Sequence, residues 1–446
     1  MAGGTPANPA TPAGRFREPP EAVHTALAAL IFIVTLVVIV VRPRQISEAW
    51  SAAAGAVLML ATGVVSPLGA LTAVASEWNL FLFFFGLMLT AAIADMAGFF
   101  DWAAGLAAAA AAGSGRRLLF NVFVLGAVIT TFLSNDATAI ILTPVVYTIA
   151  TRLRLRVMPY LFAVSFMANA ASMTLPISNP INVLTGDRLR APLAVYEGHL
   201  LLASLASIAI TMAVLMAFFW RSASGRFEFD WRSAVRSAVG DRTFFVATLV
   251  GLALLAAAYV VGSALLWPLG IVAVAGGGGL VLVATARRRL SREHLSTHIS
   301  PALFVYIAAL FVLVRGVQDA GITPALVADA VSHASDAGSA VMAGLIGSAV
   351  ASNLINNLPA VLVFLSGADA GGVPAGLHTP FLFGALAGAD LGPNLTPVGA
   401  LSTMLWLVIV RRRGVQVSAW DFLKIGAVVA PLTLIAAAVI VAASFR

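Results

Sequence analysis

The sequence predicts an all-α polytopic membrane protein with ten spans and two re-entrant hairpins in two inverted repeats, its broken helices meeting at the midplane. Three observations predict it. The 446 residues are 60% hydrophobic and 10% charged, with a mean hydropathy of +0.98. A soluble domain cannot hide that much apolar surface. Apolar runs recur at lengths near those needed to cross roughly 30 Å of hydrocarbon at 1.5 Å per residue. Two of these runs carry polar knots near their centres, Ser134-Asn-Asp136 and Ser352-Asn-Leu-Ile-Asn-Asn357, and they stand in matching order in the two halves.

Residues 1–24 are rich in Pro, Ala and Thr and read as a disordered tail. The first apolar run, 25–41, lacks a small-residue cleavage site followed by a soluble domain, so it is expected as a retained span. Further spans are expected over 51–65, 80–94, a broken 159–186, and 200–220. A second set follows over 243–262, 267–285, 301–314, a broken 380–410, and 420–443. The knotted segments 118–151 and 340–366 could each be one long broken span or a hairpin returning to the same face.

Charge favours hairpins. Arg116 and Arg117 precede the first knotted segment, and Arg152, Arg154 and Arg156 follow it. Basic residues at both ends place both ends in the cytoplasm. The second segment is flanked by Asp329, Asp336 and Asp369 without Lys or Arg, as expected on the opposite side. Arg42, Arg44, the loop 221–242, and the clusters 287–292 and 411–413 then fall in the cytoplasm. Both termini lie outside, with Arg188 and Arg190 as a minor violation. Asp95-Met-Ala-Gly98 has its counterpart in Gln318-Asp-Ala-Gly321, each followed by a hairpin and then a broken helix. The predicted units are therefore a first repeat over 25–220, a cytoplasmic linker over 221–242 and an inverted second repeat over 243–446. Such repeats place a substrate site at the midplane.

The net charge of +7 lies in short arginine clusters between apolar runs, which read as topology signals rather than a nucleic-acid surface. Cysteine is absent, which excludes disulfides, thiolate metal sites and Cys nucleophiles. The six histidines are expected in tails or loops, solvated, and no His-Glu-x-x-His spacing occurs. An intramembrane hydrolase thus lacks a nucleophile–base pair; no metal or other cofactor is expected, and the protein reads as a transporter rather than an enzyme. A scaffold without transport activity is the remaining bland class.

Four polar clusters are expected to converge. They are Ser134/Asn135/Asp136, Ser352/Asn353/Asn356/Asn357, the stretch Thr174-Leu-Pro-Ile-Ser178-Asn179-Pro-Ile-Asn182, and Gly388-Ala-Asp390-Leu-Gly-Pro-Asn394-Leu-Thr396-Pro-Val-Gly399. Prolines remove backbone donors, glycines permit close approach, and Asn and Ser offer donors and acceptors to a small polar solute. Asn, Ser and Thr also glue membrane helices together without touching substrate. A carboxylate at mid-span costs about 2.5–3.5 kcal/mol on insertion scales, so Asp136 and Asp390 carry the functional reading. Asp95 and Asp319 fall at segment ends, and Arg315 could pair with Asp319. The Gly276–Gly279 run lacks a Walker pattern and reads as a packing patch.

At these motifs the chain resembles the arsenite/antimonite efflux permeases (ArsB) of the ion-transporter superfamily. That superfamily also holds sodium/proton antiporters of the NhaD type and divalent anion/sodium symporters. The matching stretches include Trp50-Ser-Ala-Ala-Ala-Gly-Ala-Val57, Ser134-Asn-Asp-Ala-Thr-Ala-Ile-Ile-Leu-Thr-Pro144, Ser178-Asn-Pro-Ile-Asn182, Asn356-Asn-Leu-Pro-Ala-Val-Leu-Val363 and the stretch 388–399. The symporters' paired Ser-Asn-Thr signatures are replaced here by Ser134-Asn-Asp136 and Ser352-Asn-Leu354. The resemblance implies a multi-pass inner-membrane exporter of trivalent arsenic or antimony as neutral trihydroxides, exchanged for protons by alternating access. Ser134, Asn135, Thr174, Ser178, Asn179, Asn182, Ser352, Asn353, Asn356, Asn357, Asn394 and Thr396 would bind substrate, and Asp136 and Asp390 would couple protons. A cytoplasmic ATPase subunit, as some members have, is a conceivable partner. Asn169 resembles a position where some members carry Asp, which shifts coupling toward Asp136 and Asp390. The alternative is a Na⁺/H⁺ antiporter using the same carboxylates.

Overall fold

In the computed structural model, which describes residues 21–41, 47–228 and 236–446, nine helices are long and apolar enough to cross a membrane. The first half runs α1 (Glu21–Val41), α2 (Glu48–Ala61), α3 (Pro67–Ala75), α4 (Trp78–Met96) and α5 (Phe99–Ala110). A helical hairpin follows: α6 (Gly115–Phe132), then α7 (Asn135–Ala137), a π-turn (Thr138–Leu142) and α8 (Thr143–Arg152). A broken helix comes next, α9 (Met158–Ala170) and α10 (Pro180–Leu189), then α11 (Leu193–Phe219).

The second half repeats this order. It contains α12 (Arg242–Ala264), α13 (Leu269–Ala286), the short α14 (Arg292–His298), α15 (Pro301–Asp319) and α16 (Ile322–Ala330). A hairpin of α17 (Ala337–Ile355) and α18 (Asn357–Gly367) precedes a broken helix, α19 (Ala375–Leu391) and α20 (Leu401–Arg412), and then α21 (Ala419–Ala443). Among the described residues the only β-pairing is one isolated bridge, Ser114 with Arg226.

Local chemistry explains the breaks. Pro144 has no N–H for the carbonyl of Ile140, and the helix loosens into the π-turn just before it. Pro176 and Pro180 open the α9–α10 break, and Pro393 sits in the α19–α20 break. Gly98 and Gly321 stand before α5 and α16 with φ of +80° and +74°, the left-handed region that only glycine enters freely. The matched sequence positions thus share one backbone conformation.

Contacts sort the helix ends onto two faces. On one, Gly115 N donates to Gly225 O at 2.8 Å, Arg116 Nε to Trp220 O at 2.9 Å, and Tyr147 Oη to Arg413 O at 3.2 Å. Asp241 holds Arg289 there at 3.1 Å. On the other, Asn79 bonds both Asp187 and the Gly270 N–H, Thr25 bonds Ala320 O, and His199 bonds Ser444. Arg188 lies on this second face, paired with Glu77 and with Asp369 at 2.8 Å. The arginine that seemed misplaced is neutralised by two acids.

Helix approach is set by small residues. A Cβ on Gly384 would meet Val341 O at 2.2 Å, and one on Gly388 would meet Leu345 O at 2.1 Å. From the other side, one on Gly344 would meet Phe381 O at 2.2 Å. The Gly384-x-x-x-Gly388 face of α19 therefore lies backbone to backbone on α17, the packing mode membrane helices use where lipid supplies no hydrophobic drive. Gly86 of α4 touches Ala273 of α13 in the same way. In the Gly276–Gly279 run, Gly276 packs on Leu255 and Gly277 on Gly86, while Gly278 and Gly279 face open space.

Several expectations are corrected. Helices α3 and α5 occupy stretches without an expected element, because a short amphipathic or Ala-rich helix gives no full-length apolar signal. Helix α11 begins seven residues before the expected span start at 200. The histidines are not confined to tails and loops: His199 is in α11, stacked on Phe445, His378 is in α19, and His294 and His298 are in α14. Flanking polar residues hid α14 from hydropathy. Arg315 pairs with Asp319 at 2.7 Å. The expected disordered tail gives way to α1 at residues 21–24, and its residues 1–20, Arg42, Arg44 and positions 229–235 of the expected linker lie outside the described residues.

Candidate functional site

The two broken helices are joined by reciprocal side-chain bonds. Asp390, next to last in α19 and 1% exposed, accepts at one oxygen, Oδ1, from Ser172 Oγ at 2.5 Å and Asn179 Nδ2 at 2.7 Å. Asn169, next to last in α9, donates through Nδ2 to Asn394 Oδ1 at 3.2 Å and Thr403 Oγ1 at 3.1 Å. Its own Oδ1 accepts from Ser402 Oγ at 3.3 Å. Each half-helix end thus reaches across to the break and the following half-helix start of the other.

Each break is also tied to its own hairpin. Ser178 Oγ donates to Thr131 O of α6 at 3.0 Å. On the other side Asn353 Nδ2 donates to Gly392 O at 2.8 Å and its Oδ1 accepts from Thr396 Oγ1 at 2.8 Å. The Asn357 N–H donates to Gly399 O at 2.9 Å, and Asn356 Nδ2 reaches Val398 O at 3.4 Å. The expected substrate residues Asn353, Asn356, Asn357, Asn394 and Thr396 therefore share one junction with Ser178, Asn179 and Asp390.

Other expected residues serve local structure. Thr174 bonds Ser204 of α11 at 2.7 Å and Ala171 O. Asn182 Nδ2 closes its own break onto Ser172 O and Leu175 O. Asn135 Oδ1 accepts from the Asp136 N–H, and Ser134 Oγ caps α7 through the Ala137 N–H at 3.1 Å. Thr130 and Thr138 bond across that hairpin at 2.8 Å. Ser352 is buried with its hydroxyl unpartnered.

Five buried polar atoms in these segments have no hydrogen-bond partner: Ser165 Oγ, Asp390 Oδ2, Asn394 Nδ2, Asn182 Oδ1 and Ser352 Oγ. Leaving a buried polar atom unpaired costs about 1–3 kcal/mol. Backbone strain occurs at one of the hairpin tips. Asn356, at the tip between α17 and α18, has φ 77° and ψ 154°, a region that is essentially glycine-only. Asn356→Ala keeps the backbone penalty and loses the side-chain bonds to the Leu358 N–H and Val398 O, so it is expected to destabilise the fold by about 0.5–1.5 kcal/mol, and Asn356→Gly by less, because glycine removes the backbone penalty. Thermal unfolding of the two purified variants checks the order.

A cavity of about 420 Å³ opens between Glu48, His298, Ser300 and Arg412 near the arginine-rich face and ends at Ser134 and Asp136. Its walls are mostly apolar, and no donor among the described residues is bonded to the half-buried Asp136 carboxylate. The two carboxylates thus differ: Asp136 faces an open cavity, and Asp390 is sealed between the broken helices.

Sequence reasoning left Ser172, Ser402 and Thr403 unassigned, and named Asn169 only as a departure. All lie in or beside the quoted motifs, but their partners are more than 200 positions away, so no local signal singled them out.

The sequence model of a family described as "Arsenical pump membrane protein" matches residues 27–443. A protein of that name from Yersinia enterocolitica is 30% identical over 411 residues, covering 89% of this chain and 93% of the relative. A "Putative arsenical pump membrane protein" of Bacillus subtilis is 25% identical over 431 residues, covering 91% and 96%. Among solved structures, the Alcanivorax borkumensis YdaH transporter superposes with a TM-score of 0.55 at 13% identity, covering 95% of this chain and 98% of that one. Neisseria gonorrhoeae MtrF does so with a TM-score of 0.52 at 13% identity, covering 94% of each. These two likenesses speak to the fold.

Proposed function

Because the chain belongs to the arsenical pump membrane protein family of multi-pass inner-membrane transporters, we propose that it exports arsenite, and antimonite, from the cytoplasm in exchange for protons. The observation that carries this reading is the cavity ending at Ser134 and Asp136, beside a junction of half-helix ends rich in Asn, Ser and Thr. A neutral trihydroxide offers three O–H groups, each donor and acceptor, and the Asn, Ser and Thr side chains of the junction can meet them without thiols. The absence of cysteine permits release, since hydrogen bonds let go where thiolates would hold the metalloid.

The arginine-rich face is cytoplasmic in this proposal, which makes the cavity inward-facing. The two halves are inverted repeats, and both hairpins are re-entrant with their tips at the junction. Reciprocity supports this: Asn169 and Asp390 hold the same position in their half-helices and bond across in opposite senses. Hairpins and broken helices then move against the remaining spans to give alternating access. Arg188 bridges both sets on the outer face, bonding Glu77 before α4 and Asp369 after α18, and closes that side while the cavity faces inward.

Asp136 takes the solute at the cavity end and exchanges its proton there. Asp390 carries a proton on the unpartnered Oδ2 in one state and, once deprotonated, turns toward the guest in the other. A cytoplasmic ATPase subunit could dock on the arginine-rich loops, but the cycle needs none. Proteoliposomes given arsenite, antimonite or sodium side by side test the proposal. Arsenite- and antimonite-driven proton movement without a sodium response is expected. Sodium-driven proton movement indifferent to arsenite would overturn it in favour of Na⁺/H⁺ antiport.

A further inference from the structure

Away from the junction, near the arginine-rich face, Asp95 in the last turn of α4 meets both histidines of α14. We propose that Asp95, His294 and His298 bind one divalent transition-metal cation of the zinc type, clamping α14 to the end of α4 at the rim of the cavity.

The donors already have ligand spacing. His294 and His298 are four residues apart on one helix, so their rings share a side, with centroids 4.6 Å apart. Asp95 Oδ2 lies 2.9 Å from His294 Nε2 and 3.4 Å from His298 Nε2. Ligands held about 2.0–2.1 Å from a tetrahedral ion stand roughly 3.3 Å from each other. The two Asp95 distances bracket that edge length, and the three ligand atoms all lie within 4.8 Å of one another.

The second ring nitrogen of His298 supplies an independent argument. His298 Nδ1 lies 3.0 Å from His294 O, so it carries a proton and donates to that carbonyl. With Nδ1 turned to the carbonyl, Nε2 is the ring nitrogen directed at Asp95 Oδ2, 3.4 Å away, and a cation fits between the two. Imidazole ligands commonly anchor their other N–H on a backbone carbonyl in this way.

Two imidazoles and one carboxylate suit zinc and its neighbours rather than magnesium or calcium, which prefer oxygen alone. All three side chains are partly exposed, so a fourth position is open to water. His298 also lines the cavity, which puts the clamp where α14 meets the inward opening.

An imidazolium in place of neutral His298 would satisfy the same contact without metal, and the experiment separates the two. The full chain, purified in detergent without a polyhistidine tag, is dialysed against Zn²⁺ and separately titrated with Co²⁺. One zinc per chain and the visible absorption of four-coordinate cobalt are expected. The double variant His294→Ala/His298→Ala should lose this uptake, and Asp95→Asn should weaken it by roughly tenfold or more. X-ray absorption at the zinc edge of the unaltered protein should count two imidazoles, a readout independent of how the variants fold. No stoichiometric uptake, uptake unchanged in the double variant, or a shell without two imidazoles would overturn the assignment.

Discussion

Asp390→Asn is expected to bring proton-coupled efflux to background while the protein still reaches the membrane folded. The substitution keeps an acceptor oxygen for Ser172 and Asn179, whose bonds to Oδ1 join the two broken helices. At the other oxygen it places an amide where Asp390 Oδ2 has no partner, so the cost is about 1–3 kcal/mol for buried unpaired donors. What is lost outright is the site that can gain and release a proton. Everted vesicles, read for arsenite uptake and for arsenite-driven proton movement, make the comparison, with gel filtration of the variant as the folding control. Transport at the level of the unaltered protein would remove Asp390 from the mechanism. Asp390→Ala is the less informative change, because it strands the Asn179 amide, leaves Ser172 only its bond to Asn169 O, and risks the fold itself.

The largest structural effect is expected from Gly388→Val. A Cβ at this position would stand 2.1 Å from Leu345 O and 2.4 Å from Ser348 Oγ, and backbone cannot move aside as a flexible side chain can. Overpacking of this kind costs about 1–3 kcal/mol or more. Here it also parts α17 from α19, and Ser348 Oγ loses its 2.5 Å bond to Ala385 O. Folded protein recovered from membranes should fall sharply, with a lowered unfolding temperature for what remains. The same substitution at Gly279, where a Cβ meets nothing within 4 Å, should leave yield and unfolding temperature unchanged. Equal recovery of the two variants would show that the α17–α19 approach is not what holds this half together.

Much of the architecture was legible in the chain because its causes are local. Hydropathy located most spans to within a few residues, and Pro176, Pro180 and Pro393 marked where helices break, since a missing N–H acts at its own position. Matching Gly98 with Gly321 found two positions of one conformation. Short helices escaped notice where their residues were polar or small, as in α14 and α5. Within the candidate site the residue types were legible and the partners were not. Asn135 and Asn356 look alike in sequence, yet one accepts only from the neighbouring Asp136 N–H and the other caps α18 from a strained hairpin tip.

The sequence by itself determined that this is a membrane transporter, where its helices break, and that two carboxylates fall within its apolar segments. Composition and proline placement act along the chain, so no fold was needed to read them. Only the tertiary structure decided that Asp136 faces an open cavity while Asp390 is sealed against Ser172 and Asn179. Only it brought Asp95 to His294, 199 positions away. Those outcomes depend on how closely helices approach, and that approach is set by contacts such as Gly388 against Leu345, which link residues far apart in the chain.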